Sequence, residues 1–343
     1  MQSDGNLNAD EEPRQETGNE IKQDTNDVKT YENEGQAEEG GGSGSSSKLK
    51  MIIGIVVAAV VVIVVVVVLV VVLTDDDDDE DTYGQILSWE EAYKKAEEAL
   101  NSYTLEEKSK LLYNQENMTG VCGGSIDPNK DRGFPGMCLQ DGPTGVRPSA
   151  SAQSWQAGIN TAATFDRQIM YNVGKAQGKE FKDKGVNIAL GPCVNMIRHP
   201  LGGRGWETYG EDPFLTSVAA VEVIKGIQDA GTIACVKHFV GNEAELDRHN
   251  SSSNIDEQAL WEIYIEPFYN AIIKADVISI MESYNEVNDF FMIWNKELLT
   301  DELKTKFGFK GIMSDWYVIY SNENQHFTTG LDMNQQGGTV QLE

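Results

Sequence analysis

The sequence predicts an α/β fold, a (β/α)8 barrel of the TIM type. Three observations carry that expectation. From Ser88 onward, short apolar runs alternate with amphipathic helical stretches, the pattern of a parallel sheet covered by helices. Polar residues gather at, or within a few residues of, the C-terminal ends of those runs: Asp141, Lys237, His238, Tyr284 and Asp315. A barrel collects its working side chains at that face. No glycine-rich fingerprint follows any strand, which argues against the competing open, doubly wound sheet. Six or seven strands are readable rather than eight, and with only 28 residues after Asp315 the barrel is expected to be incomplete at its C-terminal end.

The chain has 343 residues and a net charge of −28, which argues against nucleic acid as a partner. Residues 1–50 are polar, acidic and poor in aromatics, and they include a Gly/Ser stretch from Gly40 to Ser47; this is the composition of a disordered tail and linker. Residues 51–73, Met51 to Leu73, are uninterrupted apolar and mostly valine. That run is long enough for the roughly 20 residues a bilayer-spanning helix needs. It is too long, and begins too far into the chain, for a cleaved signal peptide. Lys48 and Lys50 precede it and the acids Asp75 to Asp81 follow it, so a cytosolic N-terminus and an extracytoplasmic C-terminal domain are expected. Residues 74–84 read as an acidic spacer, and residues 85–343 as the barrel domain. The sequons at Asn117 and Asn250 fit that topology. Cys122 and Cys138 lie in loop-like sequence where they can pair, whereas Cys235 sits inside an apolar run and reads as a buried thiol. The cysteine spacing matches no zinc site, and no metal or cofactor is expected.

Within the domain, Ser88 and Glu91 form a capping box for a helix to about Asn101, and Thr104 caps a second. Gly136 to Leu139 is a strand ending at Asp141. Asp166 caps a helix reaching about Lys184. Val186 to Leu190 is a strand ending at Gly191-Pro192. Thr216 to Ala230 is a helix with Val218, Val221, Ile224 and Ile227 on one face. Thr232 to Val236 runs into Lys237-His238. A helix from Asp256 to Lys274 precedes the strand Val277 to Met281, and one from Glu297 to Phe307 precedes the Gly311 to Met313 strand that ends at Ser314-Asp315. A last strand, Thr328 to Leu331, ends at Asp332.

The strand-end set combines carboxylates (Asp141, Asp315), cationic or titratable groups (Lys237, His238, Arg248) and flat aromatics (Trp206, Tyr284, Trp316). Groups that hydrogen-bond hydroxyls beside aromatic faces suit a sugar ring. The chain has no P-loop, no HExxH and no GxSxG elbow. Carboxylate-driven glycoside hydrolysis is the chemistry that best uses what is present.

Five stretches together resemble glycoside hydrolase family 3: FPGMCLQDGPTGVR at 134–147, HPLGGRGWETYGEDPF at 199–214, KHFVGNEAELDR at 237–248, MESYNEVN at 281–288 and SDW at 314–316. The resemblance implies a retaining exo-acting enzyme, usually a β-glucosidase, with a covalent intermediate on Asp315. It implies that Asp141 grips two sugar hydroxyls, and that Arg204, Lys237, His238 and Arg248 hold others and keep Asp315 ionised. Tyr284 would orient the nucleophile, and Trp316 would flank the sugar. The chain departs from the family at Glu282, where a small residue is common, and at Val287-Asn288-Asp289, where Val-Asn-Gly is usual. Most members take their acid/base glutamate from a second domain after the barrel, so that group is expected to be missing from this chain. The β-N-acetylhexosaminidase branch instead uses a His–Asp dyad, which His249 near Asp247 echoes only faintly. Two further readings stand beside the β-glucosidase: a catalytically impaired barrel that binds glucan or glucosides at the cell surface, and another exo-specificity such as β-xylosidase.

Overall fold

In the computed structural model, an eight-stranded sheet carries the molecule, and its strand order follows from which segments can reach their neighbours through a helix. The structure describes residues 87–116, 120–147, 151–318 and 325–335. In chain order the strands are β1 (Tyr113–Glu116), β2 (Gly124–Ile126), β3 (Met137–Asp141), β4 (Ile188–Leu190), β5 (Ile233–Phe239), β6 (Ser252–Ser253), β7 (Ser279–Glu282), β8 (Glu286–Val287), β9 (Phe290–Phe291), β10 (Ile312–Met313) and β11 (Asn334–Gln335). The large sheet has the order β10-β7-β5-β4-β3-β2-β1-β11, and β6-β8-β9 form a small separate sheet. A parallel bridge between Met313 and Met333 joins the two end strands, so the sheet curls round on itself.

The strands β3, β4, β5, β7 and β10 are parallel neighbours in sequence order. The helices Arg167–Asp183 and Pro213–Asp229, the helical stretch from Glu257 to Ala275, and Glu297–Lys306 make the crossovers between them. Their N-caps follow from sequence: Asp166 and Asp212 each accept backbone N–H bonds of the turn they open. The stretch from Glu257 to Ala275 is widened to a π-helical turn at Leu260–Ile265, and Glu297–Lys306 is π-helical too. Two helices approach unusually closely: a Cβ on Gly174 would lie 2.2 Å from the Val223 carbonyl oxygen, and one on Gly226 would lie 2.2 Å from that of Tyr171. Only glycine allows that approach.

Elsewhere the architecture departs from a regular eightfold repeat. β2 runs antiparallel to both β1 and β3, so β1, β2 and β3 form a meander without covering crossovers. The disulfide Cys122–Cys138 ties the β1–β2 connection to β3. The strand expected at Thr328 to Leu331 is displaced; Gln325–Thr328 is helical and the strand is β11. Cys235, inside β5, is a buried free thiol, as is Cys193.

The single-pass membrane placement expected from residues 51–73 is corrected. Among the described residues no helix is long and apolar enough to cross a membrane. The longest uninterrupted α-helices among the described residues, Arg167–Asp183 and Pro213–Asp229, have 17 residues each and pack against the sheet. The run 51–73, the tail 1–50, the spacer 74–84 and the sequon at Asn117 lie outside the described residues.

Candidate active site

The C-terminal ends of β3, β5, β7 and β10 converge. Asp141 closes β3, Lys237 and His238 sit near the end of β5, Glu282 closes β7 with Tyr284 just beyond, and Asp315 follows β10. Parallel neighbours end side by side, so residues far apart in sequence meet at one rim. All of these but Asp141 are buried. The peptides Lys237–His238 and Phe239–Val240 are cis.

Lys237 Nζ donates to Asp141 Oδ1 at 2.9 Å, with the lysine side chain 2 % exposed and the carboxylate 30 % exposed. Burial alone would raise Asp141, but Lys237, Arg204 and Arg147 outweigh it and hold the carboxyl below its usual range. Burial likewise opposes the charge on Lys237, and Asp141 more than restores it. This corner is a compensated charge pair.

Asp315 is in the opposite situation. It is 2 % exposed. Its Oδ1 accepts the Trp316 N–H at 2.7 Å. Its Oδ2 has no hydrogen-bond partner among the described residues, and His238 Nε2 lies 3.5 Å from it. Burial pushes the Asp315 carboxyl up to about 6, against the charges of Lys237 and Arg204 and the Trp316 N–H. Lys237 and Arg204 act on it through their charge and not through a direct bond among the described residues. His238 contributes no charge: burial, then Arg204, Lys237 and Arg248, lower its pKa well below the usual value. It is a neutral imidazole. Asn195 fixes it: Oδ1 accepts the His238 backbone N–H at 2.9 Å and lies 3.3 Å from Nδ1.

Arg204 and Arg248 are held by acids the sequence reading left outside the site. Glu207, buried, takes Arg204 in a bidentate pair at 2.8 Å for both bonds. Glu245 Oε2 accepts Arg248 Nη1 at 2.8 Å, and its Oε1 lies 3.8 Å from Arg204 Nη1. Arg248 also covers the Tyr284 ring at 4.0 Å, and His249 stands edge-on to the same ring at 4.5 Å. Burial, then the Asp315 charge, raises the Tyr284 phenol well above its ordinary value, so it remains a donor. Trp316 is half-buried against the core beside Asp315. Glu243 accepts from Asn195 Nδ2 and the Met196 N–H, and burial raises it to about 7. Asn195, Glu207 and Glu245 were missed as supports. Arg204–Glu207 and Glu245–Arg248 share an i, i+3 spacing that offered a signal; Asn195 offered none.

The whole predicted set except Trp206 thus gathers within one rim; Trp206 lies at its margin, 41 % exposed, with Arg147 5.2 Å over its ring.

Comparison with known proteins gives this rim a context. The chain is 42% identical over 268 residues to the probable beta-glucosidase F of Aspergillus fumigatus, covering 76% of this chain and 31% of that protein. It is 41% identical over 270 residues to the probable beta-glucosidase G of Aspergillus flavus, covering 74% and 32%. Among solved structures it is similar to a beta-glucosidase from Chaetomella raphigera, with TM-score 0.68, 39% identity and coverage of 72% of this chain and 35% of that one. It is also similar to beta-glucosidase 3B from Thermotoga neapolitana in complex with α-D-glucose, with TM-score 0.66, 34% identity and coverage of 70% and 36%. The chain spans about a third of the length of the curated relatives it matches. The sequence profile of the glycosyl hydrolase family 3 N-terminal domain matches residues 129–333, and the chain belongs to that family.

Proposed function

We propose that the protein acts on β-glucosides as a retaining glycoside hydrolase in which Asp315 is the nucleophile. The observation that carries this reading is Asp315 Oδ2: a buried carboxylate oxygen at a strand end, without a hydrogen-bond partner among the described residues, on a residue whose other oxygen is tied down. A nucleophile needs one held oxygen for aim and one open oxygen for attack. The family relatives named beta-glucosidase support the substrate class.

In this reading Oδ2 attacks the anomeric carbon, the bond to the leaving oxygen breaks, and a glycosyl ester forms; water then cleaves it. Asp141, kept ionised by Lys237, accepts from sugar hydroxyls. Arg204, Lys237, His238 and Arg248 hold other hydroxyls, and Tyr284 stands beside Asp315 and orients it. Trp316 supplies a flat apolar wall for the sugar. The proton for the leaving oxygen comes from a group outside the set assigned here.

A dinitrophenyl β-glucoside tests the reading, because its leaving group departs without that proton. The full chain should release dinitrophenolate in a burst stoichiometric with protein, and Asp315→Asn should abolish the burst. An undiminished burst from the variant would refute the assignment.

A further inference from the structure

The carboxyl of Glu282 is the least expected group at the rim. It is an ionisable side chain that is 0 % exposed, at the end of a central strand. β7 and β10 pair with Met281 opposite Met313, which brings the end of β7 beside the Ser314-Asp315 turn. There Glu282 Oε1 accepts the Asp315 backbone N–H at 3.1 Å. Ser314 Oγ donates to the Asp315 carbonyl at 2.9 Å, and Trp316 N–H holds Oδ1. The main chain of Asp315 is thus fixed on both sides, with Glu282 holding its N–H.

The charge around Glu282 is one-sided. From β10 it faces the Asp315 carboxyl, on its own chain segment the phenol of Tyr284, and from β5 the residue opposite is Phe239. No lysine or arginine pairs with it among the described residues, and Lys237 is committed to Asp141. Glu282 Oε2 has no hydrogen-bond partner among the described residues. Burial first, and then the charge of Asp315, disfavours the ionised form of Glu282, against the one N–H bond that its Oε1 accepts. Asp315 has Lys237 and Arg204 acting on it and an N–H on its Oδ1, whereas among the described residues Glu282 has only the peptide N–H.

We propose that Glu282 is a positioning residue for Asp315: as a neutral acid it anchors the Asp315 N–H and retains the proton of the pair, leaving Asp315 the ionised partner. This rests on the reading of Asp315 as the nucleophile. It makes Glu282 a specific feature of this chain's site, acting through Asp315 and not on the sugar.

The test uses the full chain and a dinitrophenyl 2-deoxy-2-fluoro-β-glucoside, which esterifies the nucleophile and leaves it trapped. The trapping rate is followed against pH for the wild type, Glu282→Gln and Glu282→Ala. Glu282→Gln keeps both the acceptor and the neutrality, so its rate should stay within about threefold and its acidic midpoint should not move. Glu282→Ala leaves the buried N–H unpaired and the carboxylate free to shift, so trapping should slow by about tenfold or more while protection by glucose changes little. An acidic midpoint that falls by about one unit in Glu282→Gln would mean that Glu282 is charged in the wild type, which overturns the proposal. Wild-type trapping by Glu282→Ala overturns it as well. A second readout does not depend on trapping: the infrared carbonyl band of a protonated carboxylic acid at neutral pH, in the wild type minus Glu282→Gln difference. Its presence with no trapping at all would defeat the nucleophile reading while leaving Glu282 protonated. Its absence would defeat the proposal whatever the trapping does, including when Glu282→Ala fails to fold.

Discussion

Two corners of the rim carry the same kind of side chain and treat it in opposite ways. At the β3/β5 corner Asp141 meets a fully buried lysine, keeps 30 % of its side chain in contact with solvent, and stays a strong carboxylate. At the β7/β10 corner Asp315 meets another acid, has no bonded cation and is pushed up to about 6. Burial raises a carboxyl in both places; a bonded counter-charge reverses the outcome in one and its absence preserves it in the other. The compensated corner is suited to holding hydroxyls without reacting. The uncompensated corner keeps an electron pair poorly solvated, which is what an attacking oxygen requires.

The comparison breaks most sharply at Asp315. Replacing it with Asn should lower covalent trapping by on the order of 10³-fold or more, measured by intact mass over time, because the attacking oxygen itself is lost. Lys237→Met comes next. It leaves Asp141 with no partner in a mostly buried position and should cost about 3 kcal/mol in denaturant unfolding, the lower end for a broken buried pair because Asp141 still reaches water. Protection by glucose should weaken in parallel.

A smaller effect sharpens the contrast through pH. The Asp315 carboxyl ionises near 3.8 when free and near 6 in the folded protein. Between those values the folded state holds a proton that the unfolded chain has lost. The stabilisation from a protonated Asp315 is therefore full below about 4 and is lost as pH rises through about 6, a change of about 2–3 kcal/mol. Asp141, with its lowered value, has the opposite sign and loses stability only in stronger acid. Unfolding of the wild type and Asp315→Asn across pH 4 to 7 should diverge in that window, since Asn has no proton to lose. The smallest effect belongs to Glu245, which bridges the guanidiniums of Arg204 and Arg248. Both partners stay in contact with water, so Glu245→Gln should cost only about 1 kcal/mol and weaken glucose protection a few-fold.

The parallel part of the sheet was legible in the sequence because strands buried on both faces must be continuously apolar, as in Ile233 to Val236 and Ile312-Met313. The strand ends followed, since the first polar residue after each run marks the rim. β1 and β2 were not legible. Tyr-Asn-Gln-Glu at 113–116 carries no alternation, and Gly124–Ile126 is too short to show any. The antiparallel stretch of the curled sheet is consequently what sequence reasoning did not foresee. π-helical turns leave no periodic mark either, so 260–265 read as ordinary helix. At the site, Glu282 stood out as a departure, but residue type alone cannot tell an exposed glutamate from one folded beneath the nucleophile. That distinction comes from the β7–β10 register, a long-range fact.

The most direct measurement is peptide mapping of the full chain after incubation with the dinitrophenyl 2-deoxy-2-fluoro-β-glucoside. The account predicts one added glycosyl mass on the peptide containing Asp315, formed faster as pH rises through about 6 and absent from Asp315→Asn. An adduct on another carboxyl, or one that persists in Asp315→Asn, would contradict it.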